Sequence, residues 1–305
     1  SLALEGFALK RATVEYDLAG VDQEWPKGTL HADLEDLDAG IVLQSVDVEA
    51  DFIDLLDLSQ EQSPGVRLSV HAQDAAARQH RLKAEVVQKS DQLSVVVDSL
   101  VVALPDGIWT LAQPAAVVQQ LHKISVDAVR LENGDQRISL NGAVSTTGGQ
   151  DFHVQIDRLA LAELRSLLPD MPDIVGVLST DFQLQGTAQA PILNGNINIA
   201  GLQIAEQPYK DLSTAVVYRD ERATLDLTFQ QDDQHTLQIQ GGLPLSIRWN
   251  DGLATEILGD VDVRAYSTGL DLAFLNVLSG EEVKDIAGEL SVDMTLRGPV
   301  GQPVP

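Results

Sequence analysis

The chain has 305 residues and a formal net charge of −26, because 46 Asp and Glu residues outnumber 20 Lys and Arg residues. A surface this acidic repels phosphate groups, which disfavours nucleic acid as a partner and docking by charge on anionic membranes. Hydrophobic residues make up 44% of the chain and charged residues 22%, which excludes a disordered acidic tail. The absence of Cys excludes disulfides, thiolate catalysis and thiolate metal ligands.

Apolar and polar residues alternate along most of the chain with a period of two. This alternation predicts strands with one apolar and one polar face, joined by hairpins into a long antiparallel sheet. Turn-forming residues separate the predicted strands at 132–135, 194–195, 231–233 and 250–252. The apolar positions are the candidates for a groove surface, and they are Val66, Leu68, Val70, Ile138, Leu140, Val154, Ile156, Leu178, Phe182, Leu184, Ile197, Ile199, Leu225, Leu227, Phe229, Leu237, Ile239, Val261, Val263, Leu290, Val292, Met294 and Leu296.

Three segments break the alternation with the spacing of a helix, at 52–58, 159–168 and 270–278. Each follows the end of an alternating strand, and a polar loop separates each from the next predicted strand. We expect short helices here that bury their leucines on the sheet. A second interpretation is that they act as lids or gates across a groove.

An internal repeat follows from three glycines that each open a new alternating strand. Gly65, Gly176 and Gly288 are separated by 111 and 112 residues. The sequence after Gly176 agrees closely with that after Gly288, whereas the Gly65 copy lacks the later Gly-x4-Pro ending. The repeat predicts a partial first copy at 1–64, a second at 65–175, a third at 176–287 and the start of a further copy at 288–305. We expect one continuous elongated domain that is a fragment of a larger protein.

The kind of apolar residue bears on how the sheet closes. Aromatic residues make up only 4% of the chain, so the apolar faces consist almost entirely of aliphatic side chains. A sandwich core normally uses bulky aromatics to fill its centre. The composition therefore favours a sheet curled into an open groove, with short helices at the boundaries of repeats of about 110 residues, while tandem sandwiches remain the alternative.

Three segments carry a resemblance to a known family. They are IVGVLSTDFQLQGTAQAP at 174–191, LNGNI at 193–197 and GIWTLAQP at 107–114. Together they resemble the AsmA-like proteins of Gram-negative bacteria, and most closely the TamB-like branch, which belongs to the translocation and assembly module. The resemblance is degenerate, consisting of Gly, Leu and Pro at repeated spacings without a catalytic signature.

The resemblance implies a fold and a function. The fold of that family is the β-taco, a long curled sheet with a hydrophobic interior. It also implies a periplasmic protein, anchored in the inner membrane through a segment absent from this chain, that carries lipid between membranes. Phospholipid acyl chains would be the ligand, and an outer-membrane Omp85-type protein is an implied partner through parts outside this chain.

An aliphatic groove suits acyl chains physically, because each CH₂ group moved into water costs about 0.8 kcal/mol. We therefore expect a segment of a periplasm-spanning lipid-transport bridge. One alternative is a periplasmic scaffold or chaperone that assists the assembly of outer-membrane β-barrel proteins with an Omp85-type partner. A further alternative is an adhesin of tandem β-sandwiches.

Metal and catalytic chemistry are not expected from the sequence. The acidic stretch at 33–40 lacks the spacing of a calcium loop, and the six His residues are scattered without a pair at helical spacing. The sequence has no Gly-x-Ser-x-Gly segment and no glycine-rich loop leading into a helix. We expect no metal, no cofactor and no enzyme activity.

The three tryptophans allow two interpretations. Trp25, Trp109 and Trp249 could pack beneath hairpins or cap the apolar face. They could also line the groove or sit at its rim near lipid headgroups, since an indole combines an apolar body with a polar N–H.

Overall fold

The computed structural model describes residues 2–4, 7–20, 25–38, 42–56, 61–89, 91–105, 107–164, 173–204, 207–250, 252–257, 259–274, 276 and 286–299. The chain divides into two compact units. The first unit consists mainly of Ser1–Ala143, and the second unit consists of Val144–Arg165 and Pro169–Pro305.

The first unit is built from antiparallel strands that pair mostly with their neighbours in the chain. β1 pairs with β2, and each following strand pairs with the next as far as β7. The strands are β1 (Leu2–Leu4), β2 (Phe7–Ala19), β3 (Lys27–Asp38), β4 (Val42–Leu56), β5 (Gln62–Asp74), β6 (Gln79–Lys89), β7 (Gln92–Leu104), β8 (Gly107–Leu111), β9 (Ala115–Gln120), β10 (Lys123–Asn133) and β11 (Gln136–Ser145), which contains the division between the units.

Strands β8 and β9 together fill one position between β7 and β10. Both pair with β7, and both pair with β10. They run in the same direction and are separated only by residues 112–114, which include Pro114. Because proline has no N–H to donate, it interrupts the ladder here and splits one strand into two.

The second unit is an antiparallel ladder in the order β12, β13, β14, β16, β17, β18, β20 and β21. The short strand β15 pairs with the end of β14, and β19 pairs with the far end of β18. The strands are β12 (Gly149–Ala160), β13 (Ile174–Thr187), β14 (Pro191–Ile204), β15 (Gln207–Pro208), β16 (Asp211–Arg219), β17 (Arg222–Gln230), β18 (Thr236–Asn250), β19 (Gly252–Ile257), β20 (Asp260–Asp271) and β21 (Glu289–Pro299).

Helix is almost absent from the described residues. One helical turn, α1 (Leu161–Leu164), follows β12, and a 3₁₀ turn (Leu272–Phe274) follows β20. No helix in this described part of the chain is long and apolar enough to cross a membrane. The predicted mostly-β, antiparallel fold class is confirmed.

The helix predicted at 52–58 is wrong over residues 52–56. These residues end β4, where Phe52 lies opposite Val66 and Leu55 opposite Ser63, while residues 57 and 58 lie outside the described part. The apolar run suggested a helical face because both sides of the strand are apolar there. Leu55 is buried at 4% exposure, and pairing with β5 overrides the local spacing.

The other two predicted helices are described only in part. Of the segment 159–168, only Leu161–Leu164 is helical among the described residues, since Leu159 and Ala160 still belong to β12. Of the segment 270–278, Leu270 and Asp271 end β20, the 3₁₀ turn follows, and Asn276 is helical. Residues 165–168, 275, 277 and 278 lie outside the described part.

The turn predicted at Asn194 and Gly195 is also wrong. Both residues lie inside β14, with Gly195 opposite Phe182 of β13. A Cβ at position 195 would lie 2.0 Å from the Phe182 ring. Glycine is present because an aromatic ring covers it, and the Asn-Gly pair carries no turn geometry here.

Two bulges of the same construction occur 111 residues apart. In β12, residues 157 and 158 face one residue of β13, and in β20, residues 268 and 269 face one residue of β21. Arg158 and Gly269 have φ values of +57° and +60°. The backbone N–H of Arg158 donates to Ser179 Oγ at 3.2 Å, and that of Gly269 donates to Ser291 Oγ at 2.8 Å. A serine hydroxyl therefore satisfies a donor that the bulge removes from the ladder.

The best-buried cluster of the second unit lies beside the second bulge. It contains Leu202, Ile204, Tyr209, Phe229 and Leu270, and Leu270 is exposed by only 1%. The rings of Tyr209 and Phe229 are tilted, with their centroids 5.4 Å apart. The Leu272 side chain of the 3₁₀ turn packs against this cluster, so the turn covers one end of the ladder.

We predict that Leu270→Ala lowers the free energy of unfolding by about 2–5 kcal/mol, because the substitution leaves a cavity in a closed cluster. Urea denaturation followed by circular dichroism measures the change. Leu225→Ala is the matched control, since Leu225 is 37% exposed and should lose only about 1 kcal/mol. Equal losses in the two variants would contradict a closed cluster around Leu270.

Candidate functional site

Strand register in the second unit brings apolar side chains together on one face of the ladder. Directly paired residues of antiparallel strands project to the same side, so each row of paired residues can be followed across the sheet. One such row runs through Ile156, Thr180, Ile197, Thr214, Leu227, Ile239, Ala265 and Met294. We call the surface formed by this row and its neighbours the apolar face.

The neighbouring rows contain the other candidates from the second unit. The register places on this same apolar face Val154, Leu178, Phe182, Leu184, Ile199, Leu225, Phe229, Leu237, Val261, Val263, Leu290, Val292 and Leu296. The bulge between Ser267 and Leu270 keeps Leu270 on this face, opposite Leu290, because the extra residue in β20 restores the alternation after it.

The first unit has an equivalent apolar surface. Val66, Leu68 and Val70 alternate along β5, and their partners on β4 are Phe52, Ala50 and Val48. Their partners on β6 are Val86, Ala84 and Leu82. The candidates Ile138 and Leu140 are two residues apart on β11 and half-buried, but they are not brought opposite the β5 residues.

Buried residues lie at both ends of the apolar face, and partly exposed residues lie between them. Tyr218 and Val261 are buried in one end row, with exposures of 3% and 7%. The cluster around Leu270 lies at the other end, where the paired residue Leu290 is 39% exposed. Between them, Leu225 and Met294 remain 37% and 42% exposed. The exposed part of this aliphatic strip is not covered by other side chains of the unit, so an apolar ligand could contact it.

Two hydroxyl groups on the apolar face form hydrogen bonds with backbone carbonyls. The hydroxyl of Thr180 donates to the carbonyl of Asn196 at 2.6 Å, and that of Ser267 donates to the carbonyl of Leu290 at 2.7 Å. Both residues are buried, and their hydroxyls are engaged with the backbone. Thr214 Oγ1 differs, because it is buried without a hydrogen-bond partner among the described residues.

The opposite face of the second unit is polar and contains ion pairs between neighbouring strands. Arg264 binds Asp293, with its Nη2 3.1 Å from Oδ1, and Arg297 Nε lies 3.2 Å from Asp262 Oδ1. His153 Nε2 lies 3.1 Å from Asp181 Oδ2. These side chains are largely exposed, so each ion pair contributes little to stability. The face is mainly a hydrated, charged surface.

The tryptophans are placed differently from one another. Trp109 of β8 is 6% exposed and pairs with Val102. Trp25 is half-buried, and its ring centroid lies 6.5 Å from that of Phe52. The packing interpretation fits both of these positions. The Trp249 side chain lies outside the described part.

These features define a class of protein. Each unit is an antiparallel ladder with an aliphatic surface, and the opposite face of the second unit is polar. This arrangement suits a scaffold or a carrier of apolar material.

The family model "TamB, N-terminal domain" matches residues 37–304, and the chain belongs to the TamB family. This family serves transport and assembly in the cell envelope and is not a class of enzymes. Neither the curated proteins nor the solved structures gave a match to the chain.

A charged turn lies beside the second bulge, where His235 approaches Gly269. It joins β17 to β18, and His235 Nδ1 lies 2.7 Å from Asp232 Oδ2. The other carboxylate oxygen accepts from the backbone N–H groups of Gln234 and His235 at 2.7 and 2.8 Å. The hydrogen bond from His235, followed by these backbone donors, lowers the pKa of Asp232 to about 2. The hydrogen bond to Asp232 raises the pKa of His235.

We predict that this turn is most stable between about pH 4 and 6.5. The Asp232 contribution is complete above its unfolded pKa of 3.8 and is lost as the pH falls through about 2. The His235 contribution is complete below its unfolded pKa of 6.5 and is lost as the pH rises through its folded value. Melting temperatures of the wild type and Asp232→Asn measure this effect. Their difference should be largest inside that window, and a difference independent of pH would contradict the pairing.

Proposed function

We propose that the chain is a segment of a lipid-transport bridge in the periplasm, and that its apolar face shields the acyl chains of phospholipids moving between the inner and outer membranes. The observation that carries this proposal is the aliphatic strip of the second unit. Its side chains come from eight strands, its middle is partly exposed, and two of its hydroxyls are bonded to backbone carbonyls.

The energetics favour acyl chains as the ligand. A chain of about sixteen carbons exposed to water costs on the order of 12 kcal/mol, at about 0.8 kcal/mol per CH₂. A partly exposed aliphatic surface reduces this cost and does not require the ligand to form hydrogen bonds. Eight strands spaced about 4.8 Å apart give the second unit a face about 34 Å wide. Aliphatic walls without fixed donors allow a hydrocarbon chain to slide, whereas a recognition pocket would hold it in one orientation.

The groove residues of both units take defined roles in this proposal. Val66, Leu68 and Val70 line the first unit, with Ile138 and Leu140 as further candidates. The rows around Leu227 and Val263 line the second. The headgroup stays in water, where the acidic opposite face keeps the protein soluble. An inner-membrane anchor and an Omp85-type outer-membrane partner would act through parts outside this chain.

A repeat of about 110 residues is the proposed unit by which such a groove lengthens. The paired bulges support it, since Arg158 and Gly269 adopt the same backbone conformation and bind equivalent serines. The helical turns that follow them begin at Leu161 and Leu272, which are also 111 residues apart. The boundaries at 65, 176 and 288 stay a prediction.

We predict that Leu227→Asp weakens lipid binding at least tenfold, because a carboxylate on the aliphatic strip must lose water when an acyl chain covers it. Binding is measured with a fluorescent phospholipid, and lipid that co-purifies with the chain is quantified by mass spectrometry. Thr228→Asp is the matched control, since it adds the same charge to the next residue of β17 on the polar face.

The outcome also separates the proposal from the scaffold alternative. If Leu227→Asp and Thr228→Asp bind lipid equally well, the apolar face is not the binding surface. Absence of lipid binding in the wild type, together with retained binding of unfolded outer-membrane β-barrel protein by both variants, would favour the scaffold role. Val263→Asp on β20 repeats the test in a second row of the same face.

A further inference from the structure

Three potential metal ligands meet on the first unit, on the face of β3 and β4 that alternates with the apolar positions. His31 and Asp33 are two residues apart on β3, and Asp47 lies directly opposite Asp33 on β4. His31 Nε2 is 3.3 Å from Asp33 Oδ2 and 3.4 Å from Asp47 Oδ2. The ligand atoms of the three side chains all lie within 4.8 Å of one another.

The geometry around His31 differs from that of two His–carboxylate pairs on the second unit. His153 and His235 form hydrogen bonds of 3.1 and 2.7 Å, each to a single carboxylate. The His31 nitrogen instead lies almost equally far from two carboxylate oxygens. With metal–ligand bonds of about 2.0–2.1 Å, two ligands of a tetrahedral zinc ion lie about 3.4 Å apart. The spacing around His31 Nε2 matches that edge.

The local charge also favours a bound cation. Asp33 and Asp47 are directly opposed on neighbouring strands, an arrangement of like charges that destabilises a sheet. Glu15 on β2 and Glu49 on β4 flank His31 in the ladder. A divalent cation at the three ligand atoms would relieve the repulsion between the two opposed carboxylates.

The geometry points to a transition-metal site formed by His31, Asp33 and Asp47, with zinc as the best match. One imidazole and two carboxylates suit zinc, whereas calcium takes only oxygen ligands and prefers six to eight of them. The three side chains would supply three of the four ligands of a tetrahedral zinc ion, and water would supply the fourth. All three are partly exposed, at 40%, 60% and 39% of their side-chain surface, so an ion can enter without opening the fold.

A bound ion would clamp two adjacent strands. Residues 31 and 33 lie on β3 and residue 47 lies on β4, so the metal would tie the pairing of these strands at one register. A shift by one residue would carry Asp47 to the other side of the sheet. The site would therefore fix which face of the first unit is apolar. It is independent of lipid binding, because it lies on the side away from Val48 and Ala32.

Zinc binding to the purified chain, with any affinity tag removed, tests the site. Isothermal titration calorimetry should give about one zinc ion per chain, and zinc should raise the melting temperature of the wild type. His31→Ala should weaken binding at least tenfold and abolish the rise. Asp33→Asn keeps the side-chain volume and should weaken binding in the same way. His153→Ala is the matched control, because it removes a histidine paired with one carboxylate, and it should leave zinc binding unchanged.

The proposal fails if wild-type chain binds no zinc, or if His31→Ala binds zinc as tightly as the wild type. It also fails if His153→Ala causes the same loss as His31→Ala, since binding would then be a general property of histidines on an acidic surface. A calcium titration completes the test. Calcium that binds as tightly as zinc and is insensitive to His31→Ala would show an acidic ion atmosphere without a built site.

Discussion

Cross-strand pairing of side chains is the constraint on which the rest of this structure depends. Each strand contributes every second residue to the apolar side, and each ladder aligns those residues with their partners. In the second unit, the row through Leu227 is continuous from β12 to β21 because every intervening pair keeps the alternation. The buried cluster, the open strip and the polar opposite face all follow from that register.

The acidic residues are distributed unequally between the two sides of the sheet. On the apolar side carboxylates are nearly absent from the rows, because a buried charge without a partner is costly. On the polar side they meet arginines at Asp293 and Asp262, but the excess of acidic residues leaves many carboxylates near one another. An excess of one sign keeps long sheets from adhering to each other. The same excess places carboxylates close together. At Asp33 and Asp47, two such carboxylates lie beside His31.

Much of the fold could be predicted from sequence because period-two alternation is a strong and local signal. The same local argument failed at Phe52 and Leu55, where both sides of a strand are apolar and the pattern imitates a helix. It failed again at Gly195, where a ring from the neighbouring strand explains the glycine. The cluster at His31 was missed because Asp47 is brought to it by a hairpin. A search for ligands at helical spacing cannot find it, whereas a His-x-Asp pair on a predicted strand, aligned with the opposing strand, could have done so.

The bulges at Arg158 and Gly269 bear on how such a chain can change in length. A single inserted residue in an alternating strand turns all following side chains to the other side of the sheet. A bulge absorbs one residue and restores the alternation, and the serine opposite accepts the displaced N–H. Strands of this kind therefore tolerate insertions of two residues, or of one residue where a bulge can form. Ser179 and Ser291 lie opposite the two positions where β12 and β20 each contain one extra residue.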